Sequence, residues 1–229
     1  MGILVTAFLA GPPVDLQAHT PEEKAFYLQS RIVLQLNPSD ATAGSAVGIW
    51  HLEYNERDLS AAAFAGVLKH HPSHPVSATG LALIDEIEGR HEQALNRLEG
   101  LSDIPETLRP FLGLVRGRLH FRLKRYAKAE AFFIKALETE KAPHDLYFWL
   151  GQLQEATDRE DAAVLSYQQA IEADPFWPGP YSRLSLIYQR KGKTAQAREM
   201  MERILSLDNP SPYPNNDIGV MWRWVMRGK

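Results

Sequence analysis

The sequence predicts an all-α solenoid, and three observations support this fold class. A pattern of small and aromatic residues recurs at intervals of about 34 residues along most of the chain. Each copy has room for two helices and a turn, and copies end at proline junctions such as Asp174-Pro175. The composition, 45% hydrophobic and 23% charged residues, is ordinary for a packed protein and argues against general disorder.

The clearest copies are three consecutive ones in the C-terminal half. Two sets of small residues keep the spacing: Gly117, Gly151 and Ser185, and then Ala129, Ala163 and Ala197. Small side chains at these positions let paired helices approach closely, while large ones such as Phe133 and Tyr167 fill the remaining volume. The three copies therefore share one register.

Weaker copies precede these three, and five units are predicted in all. Their boundaries lie near residues 41–74, 75–109, 110–143, 144–177 and 178–211. The pattern resembles the tetratricopeptide repeat, a helix-turn-helix unit of about 34 residues. This resemblance covers about residues 41–211 and implies a right-handed α-solenoid. Arg116 and His120 depart from the family's pattern, which favours Leu and Tyr there.

The segments that flank the array are interpreted as a tail and two caps. Residues 1–20 are assigned to an N-terminal tail, and Thr20-Pro21-Glu22-Glu23 has the form of a capping box that opens a capping helix within residues 21–40. Residues 212–229 are predicted to form a C-terminal cap. A short helix there would cover the apolar surface of the last unit with Val220, Met221, Trp224 and Val225.

Three histidines, His70, His71 and His74, lie close together and raise the question of a metal site. Pro72 occupies the place that Pro175 holds in its own unit, so the histidines belong to a joint between units. The chain has no cysteine, which excludes disulfides and cysteine-ligated zinc or iron–sulfur sites. No metal site and no cofactor are predicted.

Catalysis is not predicted either. Gly192-Lys193-Thr194 resembles the end of a phosphate-binding loop, but Ile187 stands where that motif requires glycine. The net charge of −3 gives no general attraction to nucleic acid, which is therefore not an expected partner. A non-enzymatic protein is predicted.

Function is expected in the concave groove that the first helices of the units line. The resemblance assigns eleven residues to this wall: Phe111, Leu114, Arg118, Phe121 and Arg122 from the third unit, Phe148, Gln152 and Glu155 from the fourth, and Ser182, Leu186 and Gln189 from the fifth. The mixed aromatic and cationic surface suits a protein or peptide segment that carries acidic residues beside apolar anchors. In the alternative interpretation, Phe111 and Phe121 pack between units instead.

The predicted function is a protein-interaction scaffold within a multiprotein assembly, with bacterial pilus or secretion assembly as the analogy from architecture. The alternative is a membrane-docked accessory subunit, held by the apolar N-terminus and the Trp-rich C-terminus. No compartment follows from the sequence, and cytoplasm and periplasm both remain open.

Charge alternates between neighbouring units. Residues 75–109 carry 3 basic and 7 acidic side chains, 110–143 carry 8 and 3, 144–177 carry 1 and 7, and 178–211 carry 6 and 3. Opposite signs on stacked neighbours favour the correct register, although each exposed pair contributes little. Replacement of Arg118 and Arg122 by Glu is expected to impair partner binding while leaving the fold intact.

Overall fold

A computed structural model describes residues 21–102, 104–139, 145–207 and Met221. Within these ranges the chain forms eleven α-helices, one short 3₁₀ helix and no strand. The helices are α1 (Pro21–Leu36), α2 (Ala41–Glu53), α3 (Arg57–His70), α4 (Pro75–Ile87), α5 (His91–Glu99), the 3₁₀ helix (Glu106–Leu108), α6 (Arg109–Arg122), α7 (Tyr126–Leu137), α8 (Leu146–Ala156), α9 (Glu160–Ala173), α10 (Pro178–Arg190) and α11 (Thr194–Leu205). Each α-helix packs on the next, so the predicted all-α solenoid is confirmed.

The turn inside each helix pair contains one residue with positive φ, which makes the repeat visible in the backbone. These residues are Asn55, Gly89, Lys124, Asp158 and Gly192. They recur about every 34 residues, with one extra residue between Gly89 and Lys124, where the 3₁₀ helix precedes α6. Glycine and asparagine tolerate this left-handed conformation well.

Close packing within the helix pairs depends on two glycines, because neither has a Cβ atom. A Cβ atom added to Gly117 would lie 2.3 Å from the ring of Phe133, and one added to Gly151 would lie 2.6 Å from the ring of Tyr167. These distances are well inside van der Waals contact, so each aromatic ring fills the space above its glycine.

The apolar interior consists of three clusters along the stack. The first extends from the capping helix α1 to α6 and contains Trp50, on which Tyr27 of α1 stacks with a centroid distance of 4.3 Å. The second joins α6, α7 and α8 around Phe133, and the third joins α9, α10 and α11 around Tyr167. Each cluster is built between neighbouring helices, as expected for a solenoid.

The two residues of α6 that depart from the family pattern are accommodated inside the stack. Arg116 donates a hydrogen bond from Nη2 to the carbonyl of Leu98 in the last turn of α5, where a cation is favourable. His120 is buried and stacks on Phe132 with a centroid distance of 5.3 Å. Burial lowers the pKa of His120, so its ring is neutral at physiological pH.

Ion pairs connect successive units, as the alternating charges favour. Pairs join Arg125 to Glu92, Arg159 to Glu130, Arg190 to Glu160 and Lys191 to Asp161. They lie on partly or fully exposed surface, and each therefore contributes only about 0–1 kcal/mol to stability. Their combined effect is to favour one order of stacking.

The C-terminal cap predicted for residues 212–229 lies outside the described residues, apart from Met221. Met221 is fully buried in the first cluster. Met201 and Leu205 of α11 remain exposed. Met221 therefore packs with the apolar residues of the first units.

Candidate protein-interaction groove

The first helices of the pairs form the inner wall of the stack. Helix α2 contacts α4, α4 contacts α6, and α6 contacts α8 directly, as expected for the concave side of a curved array. A residue of one unit therefore has a structural equivalent in the next, about 34 residues away, with one position more between the second and third units. This register allows the predicted groove residues to be compared along the wall.

Two predicted groove residues are not available to a partner. Leu114 is fully buried in the second cluster with Leu146 and Leu153 of α8, and Phe111 is buried in the first cluster. Both therefore pack against neighbouring helices, as the alternative of packing between units states for Phe111. Phe121 also packs against the second cluster and the next unit, but it is only half-buried.

Arg118 is also buried, and its charge is already compensated. Its guanidinium donates to both carboxylate oxygens of Glu86 on α4, with Nε 3.2 Å from Oε1. Its guanidinium carbon also lies 5.4 Å from the centre of the Trp149 ring. We therefore expect Glu at position 118 to destabilise the fold, contrary to the expectation from the sequence, because a second carboxylate would face Glu86 inside the wall.

Arg122, one turn further along α6, has different surroundings. It is exposed, its guanidinium lies 5.3 Å from the Trp149 ring centre, and no carboxylate of the described ranges pairs with it. Phe121 meets the same ring edge-to-face at 6.1 Å. Trp149 is therefore the centre of an aromatic and cationic surface, and the sequence interpretation missed it. The signal was the pair of arginines at i and i+4 one unit before a tryptophan.

The aromatic surface continues into the fourth unit through Phe148. This half-buried ring lies 4.5 Å from Trp177 and 5.7 Å from Tyr167 between ring centres. Gly179 lies close to both Phe148 and Trp177. A Cβ atom added there would lie 3.0–3.4 Å from their rings, so this packing depends on the absence of a side chain. These ring contacts lie within the fourth unit, and Gly179 brings the start of the fifth unit against them.

Glu155 connects units rather than facing an open groove. Its carboxylate accepts hydrogen bonds from the hydroxyl of Tyr167 at 2.7 Å and from Arg183 and Arg190 on α10. Burial alone would raise the pKa of Glu155, but these hydrogen bonds and charges outweigh it and hold the pKa below its ordinary value. The carboxylate is therefore ionised and tied to the next unit.

The remaining predicted residues lie where the groove is open. Ser182, Leu186 and Gln189 of α10 are exposed, and Gln152 of α8 is half-buried. We define the open groove as Phe121, Arg122, Phe148, Trp149, Gln152, Ser182, Leu186 and Gln189. Among the described residues it offers a cation without a carboxylate partner, three aromatic rings and polar side chains.

The wall of the first two units is closed at the positions equivalent to Leu114 and Arg118. The residues there are Ser45, Ile49, Thr79 and Leu83. All four are buried, and Met221 belongs to the same apolar cluster as Ile49 and Leu83. The residues equivalent to Arg122 in these units, Glu53 and Ile87, are exposed, so the closed wall comprises only the buried positions.

The histidines at the joint after α3 make hydrogen bonds near the ends of neighbouring helices. His74 precedes α4, and its Nδ1 accepts from the backbone NH of Ser77 at 3.4 Å. His71 contacts the carbonyl of Ser39 through Nε2 at 2.8 Å. Burial lowers the pKa of His74 to about 4. Across the described ranges, no group of three or more metal-ligating side chains converges.

Comparisons with known proteins agree with this architecture. Residues 114–178 and 179–210 match two sequence profiles that are both described as tetratricopeptide repeat. The chain is a tetratricopeptide repeat protein. Such stacks are in general protein-interaction folds rather than enzymes.

Two curated relatives are much longer than this chain. Cellulose synthase operon protein C from Pseudomonas fluorescens is 25% identical over 178 residues, which are 78% of this chain and 12% of that protein. Anaphase-promoting complex subunit 3 from Schizosaccharomyces pombe is 25% identical over 166 residues, 72% of this chain and 24% of that protein. The tetratricopeptide chain thus spans a small part of either relative.

Among solved structures, PilF from Pseudomonas aeruginosa superimposes with a TM-score of 0.67 at 16% identity. The match covers 91% of this chain and 90% of PilF. At this identity the likeness concerns the fold.

The membrane-docked alternative depended on the two ends of the chain. Residues 1–20 and, apart from Met221, residues 208–229 lie outside the described ranges. Inside those ranges no helix is both long and apolar enough to span a bilayer. Met221 itself is buried against protein.

Proposed function

We propose that this tetratricopeptide repeat protein is a scaffold that binds an acidic segment of a partner protein in the open groove. The observation that carries the proposal is Arg122, an exposed cation over the ring of Trp149 with no carboxylate partner in the described ranges. The aromatic face attracts and orients the guanidinium, and an exposed guanidinium can pair with a carboxylate of a partner.

The charge of the third unit supports an acidic rather than a basic partner. Residues 110–143 carry 8 basic and 3 acidic side chains. Since Arg118 is neutralised by Glu86, the attraction comes from Arg122 and from the surrounding field of the unit. Phe121 and Phe148, both half-buried, supply apolar surface beside the Trp149 ring that Arg122 covers. The best fit is therefore a segment with Asp or Glu on either side of one apolar anchor.

We further propose that this scaffold acts within a multiprotein assembly. One relative is named as a subunit of the anaphase-promoting complex, which supports this class of role. Bacterial pilus or secretion assembly is a narrower candidate and is supported only by the similarity in fold to PilF.

Binding to designed peptides tests the proposal. The probes are short fluorescein-labelled peptides with one central Phe or Leu flanked by Glu, and matched peptides in which Lys replaces Glu. We expect the acidic peptides to bind, and Arg122→Glu to weaken binding about tenfold, with the largest loss at low salt. Anisotropy titration at two salt concentrations measures both effects.

Lys135→Glu is the matched control. Lys135 is exposed on α7, the second helix of the same unit, so its reversal changes the net charge equally but away from the open groove. Equal weakening by Arg122→Glu and Lys135→Glu would leave only a general preference for acidic peptides. Equal binding of the Lys and Glu peptides would contradict the proposal itself.

A further inference from the structure

The closed wall of the first two units presents buried aliphatic side chains, whereas the open groove contains exposed polar and charged ones. Ile49 and Leu83 occupy the wall position of Arg118 on α2 and α4, Val76 occupies the position of Phe111, and each is buried. A first helix can bury its sides against neighbouring helices, but its concave face needs another occupant. Eleven of the thirteen residues of α4 are buried, so this helix is covered all round.

The outer helices do not supply that cover. Ala62 and Lys69 on α3, and Gln93 and Asn96 on α5, are exposed, so the convex side of these units faces solvent. The additional cover must lie on the concave side. Met221 is a fully buried member of this cluster and the one described residue after Leu207.

The length of chain before Met221 allows this placement. Met221 lies fourteen positions after Leu207 in sequence, and such a segment spans at most roughly 46–50 Å when extended. Neighbouring helices pack about 8–10 Å apart, so three units correspond to about 30 Å along the wall. The end of the fifth unit can therefore reach the wall of the second.

We propose that the closed wall is a docking site for the chain's own C-terminal segment, with Met221 as its apolar anchor. Methionine is unbranched and adapts to irregular surfaces, which suits a wall of Ile49, Val76 and Leu83. Glu86 at the edge of this wall is engaged by Arg118, so no unpaired charge opposes an apolar occupant there. This inference concerns a different surface from the open groove and does not rest on the proposed function.

Self-docking has a consequence for partner binding. A segment tethered to the same chain acts at an effective concentration in the millimolar range, so a partner segment can enter the first two units only by competing with it. The C-terminal segment therefore limits partners to the open groove unless it is displaced. The site is in this sense self-blocked.

The test uses the full-length chain with Met221→Asp and a labelled synthetic peptide of residues 208–229. Anisotropy should show the native peptide binding to Met221→Asp at least about tenfold more tightly than to the unchanged chain, whose site is occupied. A peptide that itself carries Met221→Asp should not bind. Hydrogen exchange of the α4 amides should be faster in the variant and slow again when the native peptide is added.

Two further variants make the outcome decisive. Met201→Asp alters an exposed methionine on α11 and should leave peptide binding and α4 exchange unchanged. Met221→Ala, a milder change, should accelerate α4 exchange even if Met221→Asp fails to fold. Unchanged α4 exchange in Met221→Ala would overturn the proposal. So would a native peptide that slows exchange in α11 instead of α4, since this would place the segment on the last unit.

Discussion

The two ends of the concave wall use the same backbone but present opposite surfaces. At the wall position of Arg118, the equivalent residue is 0% exposed in the first unit (Ile49), 4% in the second (Leu83) and 43% in the fifth (Leu186). Leucine occupies the position in both the second and the fifth units. Residue type therefore does not explain the difference in exposure.

We attribute the difference to the proposed docking of the C-terminal segment. Met221 lies in the apolar cluster of the first units, whereas Met201 and Leu205 at the other end remain exposed. A repeat array is close to a sum of unit stabilities and interfaces between neighbours, so an occupant of one part changes only that part. The comparison indicates that the exposure of a tetratricopeptide wall residue depends on what covers the wall as much as on its position in the repeat.

The largest expected effect contrasts Leu83→Asp with Leu186→Asp. Leu83→Asp places an unpaired charge in the closed wall and should lower the free energy of unfolding by about 3–5 kcal/mol. Leu186→Asp, at the equivalent exposed position, should change it by less than about 0.5 kcal/mol. Urea denaturation followed by circular dichroism measures both. Similar losses in the two variants would break the distinction between closed and open wall.

A smaller contrast separates the two arginines of α6. Arg118→Ala leaves Glu86 without its buried partner and should cost about 3 kcal/mol, whereas Arg122→Ala should cost less than about 0.5 kcal/mol. The measurement is the same denaturation midpoint. The double variant Arg118→Met with Glu86→Leu should recover most of the stability, because it removes both charges together. No recovery would show that Arg118 acts through packing on Trp149 instead.

Acid should destabilise the closed end at a higher pH than the open end. The pKa of His74 is about 4 in the folded chain against an ordinary value of 6.5, so the unfolded chain takes up a proton that the folded chain does not. Stability is thus complete above pH 6.5 and is lost as the pH falls towards 4, by about 2 kcal/mol once the partial exposure of the ring is allowed for. His74→Asn keeps a capping side chain and should abolish this loss in denaturation curves between pH 7 and 4.

The smallest effect concerns Glu155, which gives the matching test for the open end. Its pKa is lowered from 4.5, so its contribution is present above pH 4.5 and is lost as the pH falls through the lower folded value. Glu155→Gln should reduce stability at pH 7 by about 1 kcal/mol, since the site is partly screened. The difference from the unchanged chain should vanish at low pH. A difference that disappears already near pH 6 would assign the acid response to another group.

Much of the fold could be predicted because it depends on local and repeated features. The regular spacing of the units, the proline junctions and the glycines facing Phe133 and Tyr167 are all visible in the sequence. Helix pairs require only contacts within a unit and with its neighbours, so periodicity carries the information. The alternating charges likewise anticipated the ion pairs between units, such as Arg159 with Glu130.

The candidate site was predicted less completely, for a physical reason. Register places Arg118 and Arg122 on one wall, but it does not show that Glu86 neutralises Arg118 while Arg122 lies over Trp149 without a carboxylate partner among the described residues. Which cation is available depends on the side-chain lengths and rotamers of three helices packed together. These are tertiary properties, and a single repeat pattern does not contain them.

The sequence by itself thus determined the solenoid, its five turns and the helices that line its inner wall, because short-range spacing and steric fit decide these features. Only the tertiary structure decided which part of the wall is closed. Met221 lies far from Phe111 and further still from Ile49 in sequence, yet all three belong to one cluster. Apolar burial is non-directional, so the preference of Met221 for this surface over the nearer α11 has no periodic signature in the chain.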